Sequence, residues 1–293
     1  MAPIELAAGP VSWGVDFADG PDNPPYAEVL DGIARAGVEC LELGPVGYLP
    51  SDPETVRREL GARRLSSVGT FVFDDLHRPD AAARVREAAE RALDAIVATE
   101  GRLLVVIDRP DAARAATAGR ADAAVPLDGR AWDAMVDTVR RVAERAAERG
   151  VRAVFHPHAG SHVEFENEIE RLVEHVPRDE LGLCLDTGHA LYAGDDPAAL
   201  IQRYRDRIEH LHLKDVSKDA STRPHDFWSA VASGVFCPIG TGMLDIGSVR
   251  DALAAIGYDG FATVEQDRRT DTAGTPADDL RLSVAHLRAA GVG

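Results

Sequence analysis

A (β/α)8 barrel is the fold class that the sequence predicts, on three observations. Short apolar or β-branched runs alternate with longer stretches of helical periodicity. The strand-then-helix unit recurs eight times. No linker or break in composition divides the 293 residues. Strict alternation implies parallel strands joined by right-handed crossovers. Eight units in this length suit a closed barrel better than an open doubly wound sheet. The open sheet is the alternative, but no Gly-x-Gly-x-x-Gly turn follows the first run. A single barrel domain over 1–293 is expected.

The expected strands, in order, are 4–8, 38–43, 65–73, 103–108, 151–158, 181–186, 208–214 and 261–265. The expected helices cover 26–36, 53–63, 80–100, 128–149, 164–175, 197–206, 246–256 and 277–290. Asp128 is placed to cap the fourth helix, which Arg149-Gly150 stops, and Gly37 and Gly257 follow two others as breakers. The Arg/Ala/Glu-rich helices at 80–100 and 131–149 read as solvated outer faces. Segment 109–127 reads as a long loop after the fourth strand, in the position of a lid. Segment 216–243 is a second long connection.

Acidic residues outnumber basic ones 49 to 32, a net charge of −17. Duplex binding needs Lys and Arg against phosphates, so no nucleic-acid partner is expected. No apolar run approaches the roughly 18 residues of a membrane span. Residues 1–5 do not read as a secretory leader. Cys40, Cys184 and Cys237 are far apart and without CxxC spacing, as in reduced cytoplasmic proteins. The exposed outer helices are where a homodimer or homotetramer would form.

In such a barrel the chemistry lies at the C-terminal strand ends. Eight of the ten histidines fall between His156 and His225, mostly at those ends. The fifth run enters His156-Pro157-His158, followed by His162 and Glu164. The sixth ends Asp186-Thr187-Gly188-His189, the seventh carries His210-Leu211-His212-Leu213-Lys214-Asp215, and the eighth ends Glu265-Gln266-Asp267. Alternation puts His156 and His158 on one face, and His210 and His212 on another. One donor from each of the last four strands can then converge on one cation. A mixed N/O set suits Mn²⁺, Co²⁺, Zn²⁺ or Fe²⁺ better than Ca²⁺. The bland reading of Asp186, His212 and Glu265 is a buried salt-bridge network. Burying so many ionisable groups is costly unless they are paired or metal-bound, and the metal reading is preferred. His77, His175 and His286 read as structural; His210 and His225 are balanced between structural and functional roles. Glu42 ends the second run and can face the pocket. Asp74 and Asp75 read equally as solvated turn residues. Trp13 reads as an apolar wall or a plug of the barrel mouth.

At these residues the chain resembles the xylose-isomerase-like barrel superfamily of sugar isomerases and epimerases. Within it the chain looks most like the inosose dehydratases of myo-inositol catabolism. The resemblance covers nearly the whole chain. It rests on the stretch from Glu42-Leu43-Gly44-Pro45 to Tyr48-Leu49-Pro50 and on His156-Pro157-His158-Ala159-Gly160. It continues through Asp186-Thr187-Gly188-His189, His210-Leu211-His212-Leu213-Lys214-Asp215 and Val264-Glu265-Gln266-Asp267. It implies one divalent metal held from the last four strands, commonly by Glu, Asp, His and Glu. Asp186, His212 and Glu265 match that set; His156 stands where many isomerases have Glu. His189 matches a position that contacts substrate in relatives.

The implied activity is metal-dependent β-elimination of water from a cyclic keto-polyol, 2-keto-myo-inositol first. The metal would be Mn²⁺ or Co²⁺, with Zn²⁺, Fe²⁺ or Mg²⁺ as alternatives. Such a reaction needs a base for the α-proton, an acid for the leaving hydroxide, and positive charge beside the enolate oxygen. Glu265 or His189 is expected as base and His158 or His210 as acid. Trp13, Glu42, His189 and Lys214 are expected around the substrate, with Lys214 orienting either Asp215 or a substrate hydroxyl. A ketose isomerase or epimerase is the runner-up, against which the missing glutamate on the fifth strand counts. An endonuclease IV-like repair enzyme is opposed by the charge. A non-catalytic sugar-binding barrel is the remaining alternative.

Overall fold

The computed structural model describes residues 4–219, 226–269, 272 and 274–293; His225 lies outside them. Every expected strand run forms a strand: β1 (Glu5–Ala8), β2 (Cys40–Glu42), β3 (Ser66–Asp74), β4 (Leu103–Asp108), β5 (Arg152–Phe155), β6 (Gly182–Asp186), β7 (Ile208–Leu213) and β10 (Phe261–Val264). They close in the order β1-β2-β3-β4-β5-β6-β7-β10, with every barrel pair parallel. A small antiparallel pair, β8 (Asp215–Val216) with β9 (Phe236–Cys237), lies outside the barrel in the second long connection.

The eight expected helices are α1 (Tyr26–Arg35), α2 (Pro53–Ala62), α3 (Ala82–Ala98), α5 (Gly129–Glu148), α6 (Glu166–His175), α8 (Pro197–Arg203), α10 (Ile246–Ile256) and α11 (Pro276–Ala289). Asp128 caps α5 by accepting the Ala131 N–H, and Gly150 follows it at φ 71°. Asp52, Asp196 and Asp245 cap α2, α8 and α10 in the same way. Such a side chain satisfies one of the orphan N–H groups of a helix start. Three short helices were not expected: α4 (Ala112–Ala115), α7 (Thr187–Ala193) and α9 (Phe227–Ala232). Each is too short for periodicity to register. The fifth strand is also shorter than its run, ending at Phe155; His156 continues the pairing by a single N–H to the Val106 carbonyl, and then Pro157 intervenes.

Period-two alternation sorts the strand residues into two cores. Leu41, Leu104, Val106, Leu183, Leu185, Leu211, Leu213, Ala262 and Val264 join the large apolar layer beneath the helices. Ala7, Cys40, Val68, Leu103, Val105, Ile107, Val154 and Cys184 form a separate cluster inside the barrel. The inward series continues along β6, β7 and β10 to polar residues: Cys184 pairs in register with His210, and Asp186 and Thr263 with His212. The interior is thus apolar along β4 and ionisable toward the C-terminal ends of β5 to β10.

Gly69 marks where β2, β3 and β4 meet. The β2–β3 register shifts at Leu41/Glu42, and a Cβ on Gly69 would sit 1.8 Å from the Leu103 carbonyl oxygen. No rotamer relieves a backbone clash, so Gly69→Ala is expected to lower the unfolding free energy by about 3 kcal/mol. Chemical denaturation checks this; an unchanged midpoint would mean that the strands separate there at little cost.

Candidate active site

Four side chains at the C-terminal strand ends converge. His156 follows β5, Asp186 ends β6, His212 lies on β7 and Glu265 follows β10; all are buried. His156 Nε2 is 3.3 Å from Asp186 Oδ2, and His212 Nδ1 is 3.8 Å from the same oxygen and 3.0 Å from Glu265 Oε2. Ligands about 2.1 Å from a shared ion lie roughly 3–3.5 Å apart, so this spacing fits a coordination shell. His212 Nδ1 is buried without a hydrogen-bond partner, as is His156 Nδ1. Asp186 Oδ1 is committed elsewhere, accepting the N–H groups of Gly188 and His189 as the cap of α7.

Charge gives the second measure of fit. Burial opposes ionisation of Asp186, but Lys214, His189 and His156 hold its carboxyl well below the usual range. Burial likewise opposes charge on Glu265, and His212 and Lys214 overcome it. Lys214 is held well above its ordinary pKa, against burial, by Asp186, Asp267 and Glu265. His212 is held above its own, again against burial, by Cys184, Glu265 and Glu42. Glu42, Asp186, Glu265 and Asp267 thus face one ammonium, Lys214, and the ring of His212, which would be neutral as a ligand. Carboxylates outnumber the ammonium, so the charge of the site has the sign that favours a bound cation.

Glu42 and His210 lie one layer deeper than expected. Glu42 Oε1 accepts from His212 Nε2 at 2.9 Å, His210 Nε2 at 2.7 Å and Thr263 Oγ1 at 2.6 Å. The other ring nitrogen of His210 faces the Phe261 carbonyl at 3.2 Å. Neither residue lines the cavity above. His210 and His212 do share an inward face, but one strand repeat separates them in depth. Glu42 instead fixes His212 with Nε2 protonated and Nδ1 directed at the carboxylates, the outer support typical of metal-ligating histidines. Trp13 is also displaced from its expected place. It packs beneath the turn Pro10–Trp13 against Gly32 of α1, where a Cβ would come within 2.6 Å of its ring, and it belongs to the outer core.

Above the convergence is a small pocket that opens to solvent. His156, His158, His212, Lys214, Glu265 and Asp267 line it, with Phe71, Phe73, Ile107, Phe227 and Trp228 as apolar walls. Lys214 Nζ sits 2.6 Å from Asp267 Oδ1, 3.2 Å from Glu265 Oε2 and 3.3 Å from Asp186 Oδ2. It does not orient Asp215, whose carboxylate accepts the N–H groups of Gly240, Gly242 and Leu244 in the second long connection.

The backbone of Ala159 distinguishes two stacked imidazoles, His158 and His189, whose centroids are 3.9 Å apart. Its carbonyl accepts from His158 Nδ1 at 2.9 Å, while its N–H donates to His189 Nδ1 at 3.3 Å. His158 therefore keeps a bare Nε2, whereas His189 Nε2 lies between Lys214 Nζ at 3.2 Å and Asp267 Oδ2 at 3.4 Å. Burial and the neighbouring His189 and His156 keep His158 well below its ordinary pKa. Sequence reasoning missed Asp16 and Asp267. Asp16 follows the Pro10–Trp13 turn and lines the cavity; burial, Asp267 and Glu265 push its carboxyl up to about 7. Asp267 is two residues beyond Glu265, and period-two spacing alone would have pointed it the same way.

The segment 109–127 is pinned rather than loose. Arg114 is buried and makes two 2.9 Å bonds to the carboxylate of Glu168. Glu164 accepts the Gly119 N–H at 2.6 Å and the Gly160 N–H at 2.9 Å, tying the segment to the loop after β5. Asp74 and Asp75 are paired as well, with Arg84 and with Arg84 and Arg109 respectively. His175 and His286 bond to backbone carbonyls, as expected of structural residues.

The chain belongs to the xylose isomerase-like TIM-barrel family, whose model matches residues 30–290. Among curated relatives it is 32% identical to an inosose dehydratase of Geobacillus kaustophilus over 280 residues, covering 91% of this chain and 88% of that protein. It is 33% identical to the rhizopine catabolism protein MocC of Rhizobium meliloti over 276 residues, 90% and 82% of the two chains. A D-allulose 3-epimerase of Methylomonas superposes with a TM-score of 0.73 at 19% identity, over 99% and 100% of the two chains, which shows the shared fold.

Glu164 generates a pH prediction. Burial raises its carboxyl from 4.5 to about 7, against the two backbone N–H groups and Arg114. The folded state then binds this proton more tightly than the unfolded state. The resulting stability is full below the unfolded pKa and is lost as pH rises through about 7. The stability of wild type relative to Glu164→Gln is expected to fall by about 1–3 kcal/mol between pH 4.5 and 8. Guanidinium unfolding of both proteins across that range tests it, and parallel profiles would refute it.

Proposed function

We propose that this chain is a hydro-lyase that dehydrates a cyclic keto-polyol, 2-keto-myo-inositol, to the corresponding dione in myo-inositol catabolism. The observation that carries the reading is its identity to inosose dehydratases along about nine-tenths of both chains. The convergence of His156, Asp186, His212 and Glu265 supports a single divalent ion as cofactor, Mn²⁺ or Co²⁺ in this reading. When bound, that ion supplies Lewis-acid stabilisation to the enolate that α-deprotonation creates.

The chain's own groups supply binding and proton transfer. The apolar walls of Phe73, Phe227 and Trp228 fit the C–H face of a ring, and Lys214, with His189 beside it, faces its hydroxyls. His158 is the better base of the two stacked imidazoles, because its Nε2 carries a lone pair and its Nδ1 proton is committed to Ala159. Glu265 is its competitor from the sequence reading. His210 is set aside as acid, since it is sealed under Glu42. Asp16 takes that role: a carboxyl kept protonated near neutrality can hand its proton to the departing hydroxide. The described cysteines are free thiols, in keeping with a cytoplasmic setting.

The test is turnover of 2-keto-myo-inositol by chelator-stripped protein with and without Mn²⁺ or Co²⁺, followed by product mass. Metal-dependent loss of one water is expected, with kcat reduced at least ~100-fold in Glu265→Gln and about 10–100-fold in Asp16→Asn. Solvent deuterium entering the substrate at unchanged composition would replace the reading with an epimerase. Metal binding without turnover or exchange would reject the substrate.

A further inference from the structure

A second imidazole–carboxylate cluster lies outside the converging set above. Asp108 ends β4 with its side chain fully buried. Its Oδ1 accepts from His77 Nδ1 at 3.0 Å and from the Leu76 N–H at 2.9 Å. Its Oδ2 accepts from His162 Nδ1 at 3.0 Å and from the His162 N–H at 3.3 Å. The two rings are 4.2 Å apart between centroids. His162 Nε2 faces Asp111 Oδ2 at 3.5 Å, and the Asp111 charge also acts on His77. The side chain of Asp111 is 42% exposed, so this side of the cluster is open to solvent.

A carboxylate that takes the Nδ1 proton of both rings fixes both tautomers. Each neutral imidazole is left with its lone pair on Nε2. Metal-ligating histidines are oriented in this way, with the ring N–H on a carboxylate behind the ligand. A hydrogen-bonded pin between loops requires only one ring. Here two are stacked on one carboxylate, and a second carboxylate lies across the Nε2 of one, at about the separation of two donors on one ion.

We propose that His77 Nε2, His162 Nε2 and the carboxylate of Asp111 form a second metal site. Two imidazoles and one carboxylate suit a borderline transition-metal ion such as Zn²⁺ or Co²⁺ rather than Ca²⁺ or Mg²⁺. Water completes the shell, and Asp108 supports the ligands from behind. The donors come from the loop after β3, the cap of α4 and the loop after β5. The ion therefore ties the 109–127 segment to two barrel loops. The proposal does not depend on the hydro-lyase reading.

The probe is Co²⁺ alone, titrated calorimetrically into chelator-stripped full-length protein, with bound metal counted after desalting. Wild type is compared with Asp111→Asn, His162→Gln and Asp186→Asn. Asparagine at 111 can still accept the Arg114 N–H that caps α4, so that variant is expected to stay folded if His162→Gln does not. The expected result is one equivalent lost, or weakened by at least ~10-fold, in Asp111→Asn and His162→Gln but retained in Asp186→Asn. If folded Asp111→Asn binds as much Co²⁺ as wild type, with the same affinity, the cluster is a structural pin and the proposal fails. Loss in Asp186→Asn alone also overturns it and leaves the β5–β10 centre standing.

Discussion

Four carboxylates enclosed at one end of a closed barrel set the terms for everything around them. Each pays a desolvation cost that a lone charge in this interior could not meet. The sequence answers with one ammonium and a set of imidazoles, each within 4.0 Å of at least one of the acids or stacked on a ring that is. Lys214 is the most connected of these, reaching Asp186, Glu265 and Asp267 together. The carboxylates outnumber the ammonium, and polar atoms such as Glu42 Oε2 and His212 Nδ1 remain buried without hydrogen-bond partners. A hydrophobic protein interior does not sustain such a deficit for stability alone. The arrangement makes sense as a cradle for a cation, with Lys214 bound among its acids.

Proton positions in this cradle follow from contacts below and beside the rings. Glu42 lies under His212 and turns Nδ1 toward the acids. The carbonyl and the N–H of Ala159, from the peptide units on either side of it, take the Nδ1 of His158 and of His189 respectively, and these two rings lie 3.9 Å apart between centroids. Two chemically identical side chains thereby acquire different partners at Nδ1, an acceptor for one and a donor for the other. The sequence left Glu265 or His189 as base and His158 or His210 as acid, and the proposed reading of His158 as base rests on that contact with Ala159. Tautomers depend on backbone atoms that no spacing rule locates.

The fold was almost fully legible because it repeats one signal eight times. A miss on one strand would not have hidden the barrel. The convergence of His156, Asp186, His212 and Glu265 was legible for the same reason, since period-two alternation assigns a face to each residue. Depth was not legible. His210 and Glu42 share the inward face with His212, yet they sit a layer below it, and alternation carries no information about height until strand registers are known. Trp13 shows a related blindness: a turn residue has no periodic face, and the bare Gly32 surface beneath it decided where the indole went. Asp16 was invisible for want of any pattern, being an acid in a loop that only tertiary contact brings to the cavity.

The loops of the C-terminal face are joined by charge as well as by apolar packing, the latter in a cluster that includes Ala115, Ala159, Tyr192, Phe227 and Phe236. Asp108 holds the loops after β3 and β5, Glu164 and Glu168 hold the 109–127 segment, and Asp215 gathers the turn at 240–244. Each is a buried carboxylate receiving several donors, most of them backbone N–H groups. Loops need such anchors because their backbone groups cannot pair in a sheet. Phe227 serves both the loops and the cavity: it is buried against Tyr192 and Phe236 in the apolar cluster between the loops, and it walls the cavity. The apolar wall of the cavity is therefore a surface whose position is already fixed by packing between the loops that carry it.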